Sequence, residues 1–109
     1  MNRRVILIIL LSFIASLQNS TASITGTCGE NISYYLDDNG TLTLTGTGKM
    51  CDNNSNSPFY NNYNINKIDI EEGITYIGKG IFYLCRNLKE VNISNSVDSI
   101  GDSAFFLCI

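Results

Sequence analysis

The segments "NINKIDIEEGITYIGKGIFYLCR" (64–86) and "NLKEVNISNSVDSIGDSAFFLCI" (87–109) align without a gap, so that position 64 matches position 87. We call this constant spacing the repeat offset. Apolar residues occupy matching positions in the two copies. The pairs are Ile65 with Leu88, Ile68 with Val91, Ile70 with Ile93, Ile74 with Val97, Ile77 with Ile100, Phe82 with Phe105, and Leu84 with Leu107. A period of this length is typical of stacked coils, because one coil cannot bury its apolar face alone. The sequence therefore predicts a leucine-rich-repeat solenoid with about two coils in this region.

Each copy carries a glycine directly after an isoleucine of the pattern, at Gly78 and Gly101. We expect these glycines to permit a turn of the coil where a side chain would clash or φ would have to be positive. The stretch "GKGIFYLC" (78–85) does not fit a phosphate-binding loop, because bulky apolar residues replace the Lys-Ser or Lys-Thr ending. "GTGK" (46–49) fails for the same reason, since Met50 and Cys51 follow it.

The region before the repeats predicts a β-hairpin. "NISYYL" (31–36) and "TLTLTG" (41–46) alternate apolar and polar residues on either side of "DDNG" (37–40). Asn39-Gly40 is typical of a type I′ turn, which needs a positive φ at both residues. The segment 51–64 contains many turn formers and the only proline, Pro58, and it predicts a loop that lets Phe59 and Tyr60 pack back.

The segment 1–22 has the layout of a secretory signal peptide. A basic head with Arg3 and Arg4 precedes the apolar run "VILIILLSFIA" (5–15), and small residues lead up to Ala22. A spanning helix needs about 20 apolar residues and this run is shorter, so we expect cleavage near Ala22 instead of an uncleaved anchor. The mature chain then has five basic and ten acidic residues, since Arg3 and Arg4 are lost from the seven basic ones, and it has no membrane span. Because the mature chain has no basic patch, we predict that nucleic acid is not a partner.

Four cysteines remain after cleavage, and secretion would permit disulfides. Cys28 and Cys51 lie outside the repeats and bracket the hairpin, and a bond between them would contribute about 3 kcal/mol in the chain-entropy model. We favour that pairing. Cys85 and Cys108 recur at the repeat offset, which favours a buried column of thiols over a bond between them.

The sequence offers little for catalysis or metal binding. It has no histidine, which excludes imidazole-based triads and Cys/His zinc sites. Asp37-Asp38 and Glu71-Glu72 do not supply two converging carboxyls in unequal environments. "DNNSN" (52–56) begins like a calcium loop but lacks the glycine and the bidentate glutamate that such a loop needs. We therefore predict no enzymatic activity, no metal and no cofactor.

Four sequons predict N-glycosylation of a secreted chain. Their asparagines are Asn31, Asn39, Asn53 and Asn92.

The strand pattern "INKIDIE" (65–71) directs its isoleucines into the coil by alternation. The outer face then carries Lys67, Asp69 and Glu71, and in the next coil Glu90, Asn92 and Ser94. Stacking at the repeat offset places Lys67 beside Glu90, an opposite-charge pair worth about 0.2–1 kcal/mol. Two interpretations remain open for this face, a solvated surface and a ligand-binding surface of the kind that repeat proteins use.

These residues closely resemble the BspA-like family of leucine-rich-repeat surface proteins. "VNISNSVDSIGDSAFFLC" (91–108) follows the family's repeat almost throughout. "GTCG", "GTLTLTGTGKM", "SPFY" and "IEEGITYIG" resemble the module that often precedes the first coil, so the resemblance covers the segment 26–109. Glu71 and Ser94 replace the family's proline, and Ile81 stands where Ala104 keeps the usual alanine.

Pattern and resemblance together predict a mainly β chain with a signal peptide (1–22), an N-terminal hairpin and capping module (23–63) and BspA-type repeats (64–109). The resemblance implies a secreted or cell-surface protein for adhesion or recognition, which binds host matrix proteins, cells or glycans. The alternative is a structural capping or assembly fragment with no ligand of its own. Family members usually continue for many coils, so we expect a truncated solenoid whose open last coil self-associates.

Overall fold

Two β-sheets make up the computed structural model, which describes residues 24–108. The strands are β1 (Ile24–Thr27), β2 (Ile32–Leu36), β3 (Thr41–Gly46), β4 (Gly48–Lys49), β5 (Lys67–Ile70), β6 (Ile74–Ile77), β7 (Glu90–Ile93) and β8 (Ser99–Ile100). One sheet has the order β1-β2-β3-β5-β7 and the other the order β4-β6-β8. The described residues are mainly β, as predicted, and none of them forms a helix that could cross a membrane. The predicted signal peptide lies outside the described residues.

Parallel pairing arranges the chain as a solenoid. β1 and β2 are antiparallel, as are β2 and β3, whereas β3, β5 and β7 run parallel. β5 pairs with β7 at the predicted offset, with Ile68 opposite Val91. β4, β6 and β8 are also parallel, so each turn of the chain contributes one strand to each sheet.

β3 is both the second strand of the hairpin and the first strand of the parallel stack. It adds a turn in front of the two predicted coils. The ring of Phe59 contacts that of Phe82, and these two residues are one repeat offset apart. Leu42 lies opposite Ile68 in the sheet, and these two residues are further apart in sequence than Phe59 and Phe82. The first turn therefore contains extra residues between β4 and Phe59.

The segment 51–64 has no strand, but it forms the remaining side of the first turn. The Ser57 hydroxyl donates to the carbonyl of Ile81 at 2.7 Å, and Asn53 Nδ2 donates to the carbonyl of Gly80 at 3.1 Å. Phe59 is buried, so it packs back on the core as predicted, but the prediction was wrong for Tyr60, which is 51% exposed and stacks on the ring of Tyr83. The Ser57 and Asn53 side chains bind carbonyl groups of the next coil where it has no strand, and the Gly80 carbonyl also accepts from Tyr83 N.

The two repeat glycines are required for close packing between coils. A Cβ atom on Gly78 would overlap the carbonyl oxygen of Cys51, and one on Gly101 would lie 2.5 Å from the backbone nitrogen of Lys79. Neither glycine has a positive φ. Steric clash is thus the reason for glycine at both positions, and left-handed backbone is not.

The hairpin turn is not the predicted type I′ turn. Gly40 has a φ of 84°, but Asn39 does not have a positive φ. Gly40 N donates to the carbonyl of Asp37 at 3.2 Å, and Asp37 Oδ1 accepts from Asn39 N at 2.8 Å and from Thr41 N at 3.0 Å. This pattern is a type I turn followed by a left-handed glycine. The prediction was wrong because the Asp37 carboxylate satisfies the turn donors and stabilises the longer loop.

Inward side chains of both sheets form one continuous core. Its largest fully buried members are Ile32, Leu42, Leu44, Phe59, Ile65, Ile68, Ile74, Ile77, Ile81 and Phe82. The ring of Phe82 lies tilted against that of Phe59, with a centroid distance of 5.4 Å, and stacks on that of Phe105 at 5.3 Å. Burying each large apolar side chain stabilises the fold by about 1.5–3 kcal/mol. No buried side-chain polar atom in the described part of the chain lacks a hydrogen-bond partner.

Candidate recognition surface

Outward side chains of β5 and β7 form a polar face on the five-stranded sheet. The structure brings the predicted residues together here: Lys67 and Asp69 on β5 with Glu71 directly after it, and Glu90 and Asn92 on β7 with Ser94 directly after it. Parallel pairing in register sets this arrangement, and the Ser94 hydroxyl continues it beyond the strands by donating to the carbonyl of Glu71 at 3.0 Å. The intervening Ile68 is fully buried, so polar and apolar residues of β5 lie on opposite faces of the sheet.

Lateral contacts hold these polar side chains in place. Lys67 Nζ lies 3.8 Å from Glu90 Oε2, and the two side chains are 36% and 56% exposed. Water screens a pair this exposed, so it contributes less than about 1 kcal/mol to stability. Asn92 Nδ2 donates to Asp69 Oδ1 at 2.7 Å and to Glu90 Oε2 at 3.3 Å. The hydrogen bonds of Asn92 restrict the Asp69 and Glu90 carboxylates, so part of this charge pattern is ordered before a ligand binds.

Comparison with protein families agrees with this fold. The family model described as "BspA type Leucine rich repeat region (6 copies)" matches residues 16–109. The chain belongs to the BspA-type leucine-rich repeat family. The predicted resemblance is thereby confirmed. No curated protein matches the chain.

One solved structure is similar to this BspA-type chain. It is the crystal structure of a leucine-rich repeat protein from Eubacterium ventriosum ATCC 27560, with a TM-score of 0.72 and 40% sequence identity. The match covers 77% of this chain and 23% of that chain, so the BspA-type chain spans about a quarter of the length of that protein. Leucine-rich repeats of this type are a non-enzymatic fold associated with protein binding.

The cysteines of this BspA-type chain divide into one disulfide and two thiols. Cys28 and Cys51 are bonded, with Cα atoms 5.0 Å apart. Cys85 Sγ donates to the carbonyl of Phe59 at 3.1 Å, and the free Cys108 repeats this contact one coil further on at 2.9 Å. Burial raises the pKa of the Cys85 thiol to about 12, so it remains a protonated donor at neutral pH. The predicted column is confirmed as two thiols, of which Cys85 is buried and Cys108 is only partly buried.

The sequon asparagines of the BspA-type chain differ in how their side-chain amides are used. Asn53 Nδ2 donates to the carbonyl of Gly80, and Asn92 Nδ2 is held on the outer face. Asn31 and Asn39 are exposed turn residues. A glycan on Asn53 or Asn92 would compete with an existing hydrogen bond, so Asn31 and Asn39 are the better placed of the four predicted sites.

The Asp52 carboxylate, which lies outside the polar face, has structural partners. It belongs to the segment that begins like a calcium loop, and its Oδ1 accepts hydrogen bonds from Lys79 N and the Tyr76 hydroxyl, both at 2.8 Å. The Lys79 hydrogen bond, followed by that of Tyr76, lowers the pKa of Asp52. Within residues 24–108, no group of three or more potential ligand side chains is placed to hold a metal ion. Asp52 joins the first turn to the second.

Proposed function

We propose that this chain is a non-enzymatic, secreted or cell-surface protein for adhesion or recognition, with host matrix proteins, cells or surface glycans as its partners. The polar face of β5 and β7 carries this proposal. It presents six outward side chains on a parallel ladder whose strands are about 4.8 Å apart. Family membership supports protein binding in general. Repeat proteins commonly bind their partners on such an extended surface.

The predicted signal peptide supports the proposed location. Its basic head and short apolar run fit export followed by cleavage. N-terminal sequencing of secreted material should begin near Ser23. A cytosolic protein that still begins at Met1 would contradict the proposed location.

Exchange of the paired charges tests the polar face. The double variant Lys67→Glu/Glu90→Lys keeps an opposite-charge pair, so its melting temperature should remain close to that of the parent chain. The exchange reverses the charge at both positions while Asp69 and Glu71 stay unchanged, so affinity for a charged partner that contacts Lys67 or Glu90 should fall by about tenfold or more. Lys49→Glu is the matched control, because Lys49 is exposed on β4 in the other sheet.

The measurement is binding of the full chain to immobilised extracellular matrix proteins, intact host cells and arrayed glycans at two salt concentrations. Weaker binding by the double variant, with the control unchanged, supports the polar face as the contact surface. If no ligand in the panel is bound, or if the exchange of charges leaves affinity unchanged, the polar face is not the recognition surface.

An assembly role is the second candidate, and the outer side of the last coil favours it. Ile93, Ile100, Phe106 and Leu107 are between 41% and 52% exposed there. β7 and β8 also have no partner strand on that side within the described residues. Sedimentation velocity should then show association that weakens on Ile100→Lys but not on Tyr63→Lys, a control at an exposed residue in a loop. A parent chain that stays monomeric at high concentration argues against this role.

A further inference from the structure

The antiparallel part of the large sheet carries an array of hydroxyl groups on its outer face. Strand register places three side chains in each of two rows across β1, β2 and β3. The rows are Thr25, Tyr35, Thr43 and Thr27, Ser33, Thr45. We call these six residues the hydroxyl array. Five of them are exposed and Thr43 is half-buried, and none carries a charge.

A hollow lies over the hydroxyl array. Its volume is about 460 Å³, and all six residues of the array line it. Ligand-binding clefts typically have volumes of about 300–1,000 Å³. High β-propensity explains threonine on an exposed strand. The same propensity accounts for Tyr35, but it does not account for the concave surface that the six residues line, with a tyrosine that is 45% exposed in the middle of its row.

The chemistry of the array selects among partner classes. A nucleic acid needs clustered Lys and Arg, and the array contains neither. Energetically important residues in protein interfaces are enriched in Trp, Tyr and Arg, whereas Ser and Thr are under-represented among them. The array instead presents uncharged hydroxyl groups beside threonine methyl groups and a tyrosine ring, which suits a neutral ligand that has both hydroxyl groups and apolar faces. Tyrosine adds a rigid amphipathic ring that contacts a ligand at low cost in conformational entropy.

We propose that the hydroxyl array binds a neutral, extended glycan. This site rests on the proposed recognition function and gives the chemical class of one of its partners. A sugar chain that crosses the strands meets a new strand about every 4.8 Å, which is comparable to the length of one sugar residue. Successive sugars can then exchange hydrogen bonds with successive strands. Tyr35 lies on the central strand of the three, where its ring contacts the apolar face of the middle sugar.

Affinity electrophoresis of the full chain through gels that contain mannan, xyloglucan, laminarin or starch tests this proposal. At least one of these neutral polysaccharides should retard the chain, and the retardation should not depend on salt. Tyr35→Ala should weaken binding by about tenfold or more, because a central aromatic contact is lost. Thr43→Val and Thr45→Val keep the shape and β-propensity but remove one hydroxyl each, so each should weaken binding by about twofold to tenfold.

Matched controls separate binding from folding. Tyr63→Ala removes an exposed tyrosine outside the array and should leave retardation unchanged. The Thr→Val variants keep the proposal testable if Tyr35→Ala does not fold. The proposal is overturned if none of the four polysaccharides retards the chain, if the array variants are retarded as strongly as the parent, or if Lys67→Glu/Glu90→Lys abolishes retardation. A chain that binds protein ligands but no neutral glycan overturns the glycan site alone and leaves the recognition function intact.

Discussion

The inner ladder of phenylalanines makes a quantitative prediction about the stability of the stack. Phe82 is fully buried, and its ring contacts two others, Phe59 at 5.4 Å and Phe105 at 5.3 Å. Each aromatic pair contributes about 0.5–1.5 kcal/mol beyond area burial. Phe82→Leu keeps an apolar side chain but loses both pairs, so we expect a loss of about 1–3 kcal/mol in the free energy of unfolding.

Phe105→Leu provides the internal comparison. The Phe105 ring has one such partner and is only partly buried, so the expected loss is about 0.5–1.5 kcal/mol. Phe59→Leu should resemble Phe82→Leu, since the Phe59 ring contacts both Tyr34 and Phe82. Urea denaturation followed by far-ultraviolet circular dichroism measures all three variants, because the chain has no tryptophan. If Phe105→Leu costs as much as Phe82→Leu, stacking between coils does not determine stability in the way we argue.

Three further predictions concern single residues. The pKa of Asp52 in the folded chain lies below its ordinary value of 3.8. The carboxylate therefore stabilises the fold fully above pH 3.8, and this stabilisation is lost as the pH falls through the folded pKa. Asp52→Asn should reduce the loss of stability in acid. Cys85, with its pKa raised to about 12, should resist alkylation at pH 8 until the chain is unfolded in urea. Gly78→Ala should destabilise the chain by about 1–3 kcal/mol, because the added methyl group overlaps the Cys51 carbonyl.

The outcomes that contradict these predictions are equally specific. An acid dependence of unfolding that is identical in the parent and in Asp52→Asn would show that the Asp52 carboxylate does not contribute to it. Rapid alkylation of Cys85 in the native chain would mean that the thiol is accessible. For Gly78→Ala the control is Lys79→Ala, at the exposed neighbouring residue. Equal stability of these two variants would refute the claim of close packing at Gly78.

Much of the repeat could be predicted from sequence because its spacing reflects direct contact between equivalent residues. Ile68 and Val91 are separated by the repeat offset and also lie opposite each other in the sheet. The first turn of the stack was harder to see, since its strand pairs at a longer spacing than the one at which its aromatic residues stack. A signal was nevertheless present in "SPFY" (57–60), "GIFY" (80–83) and "SAFF" (103–106), which recur at the repeat offset.

The two candidate sites also differ in how far the sequence predicts them. The polar face of β5 and β7 follows from alternation within one repeat and from the repeat offset, and both are visible in sequence. The hydroxyl array combines β1, β2 and β3, whose register depends on the hairpin turn. Hydrogen bonds to the Asp37 carboxylate stabilise that turn, and the sequence wrongly predicted a type I′ turn there.

The sequence by itself determined which side chains face the core, because alternation along a strand is a local property of the backbone. It also determined the repeat, because a fixed period brings equivalent residues into contact. Only the tertiary structure decided which hydroxyl groups lie side by side and which carbonyls Ser57 and Cys85 reach in neighbouring coils. Those contacts depend on strand register and coil stacking, which distant residues set together through packing, and no local pattern encodes them.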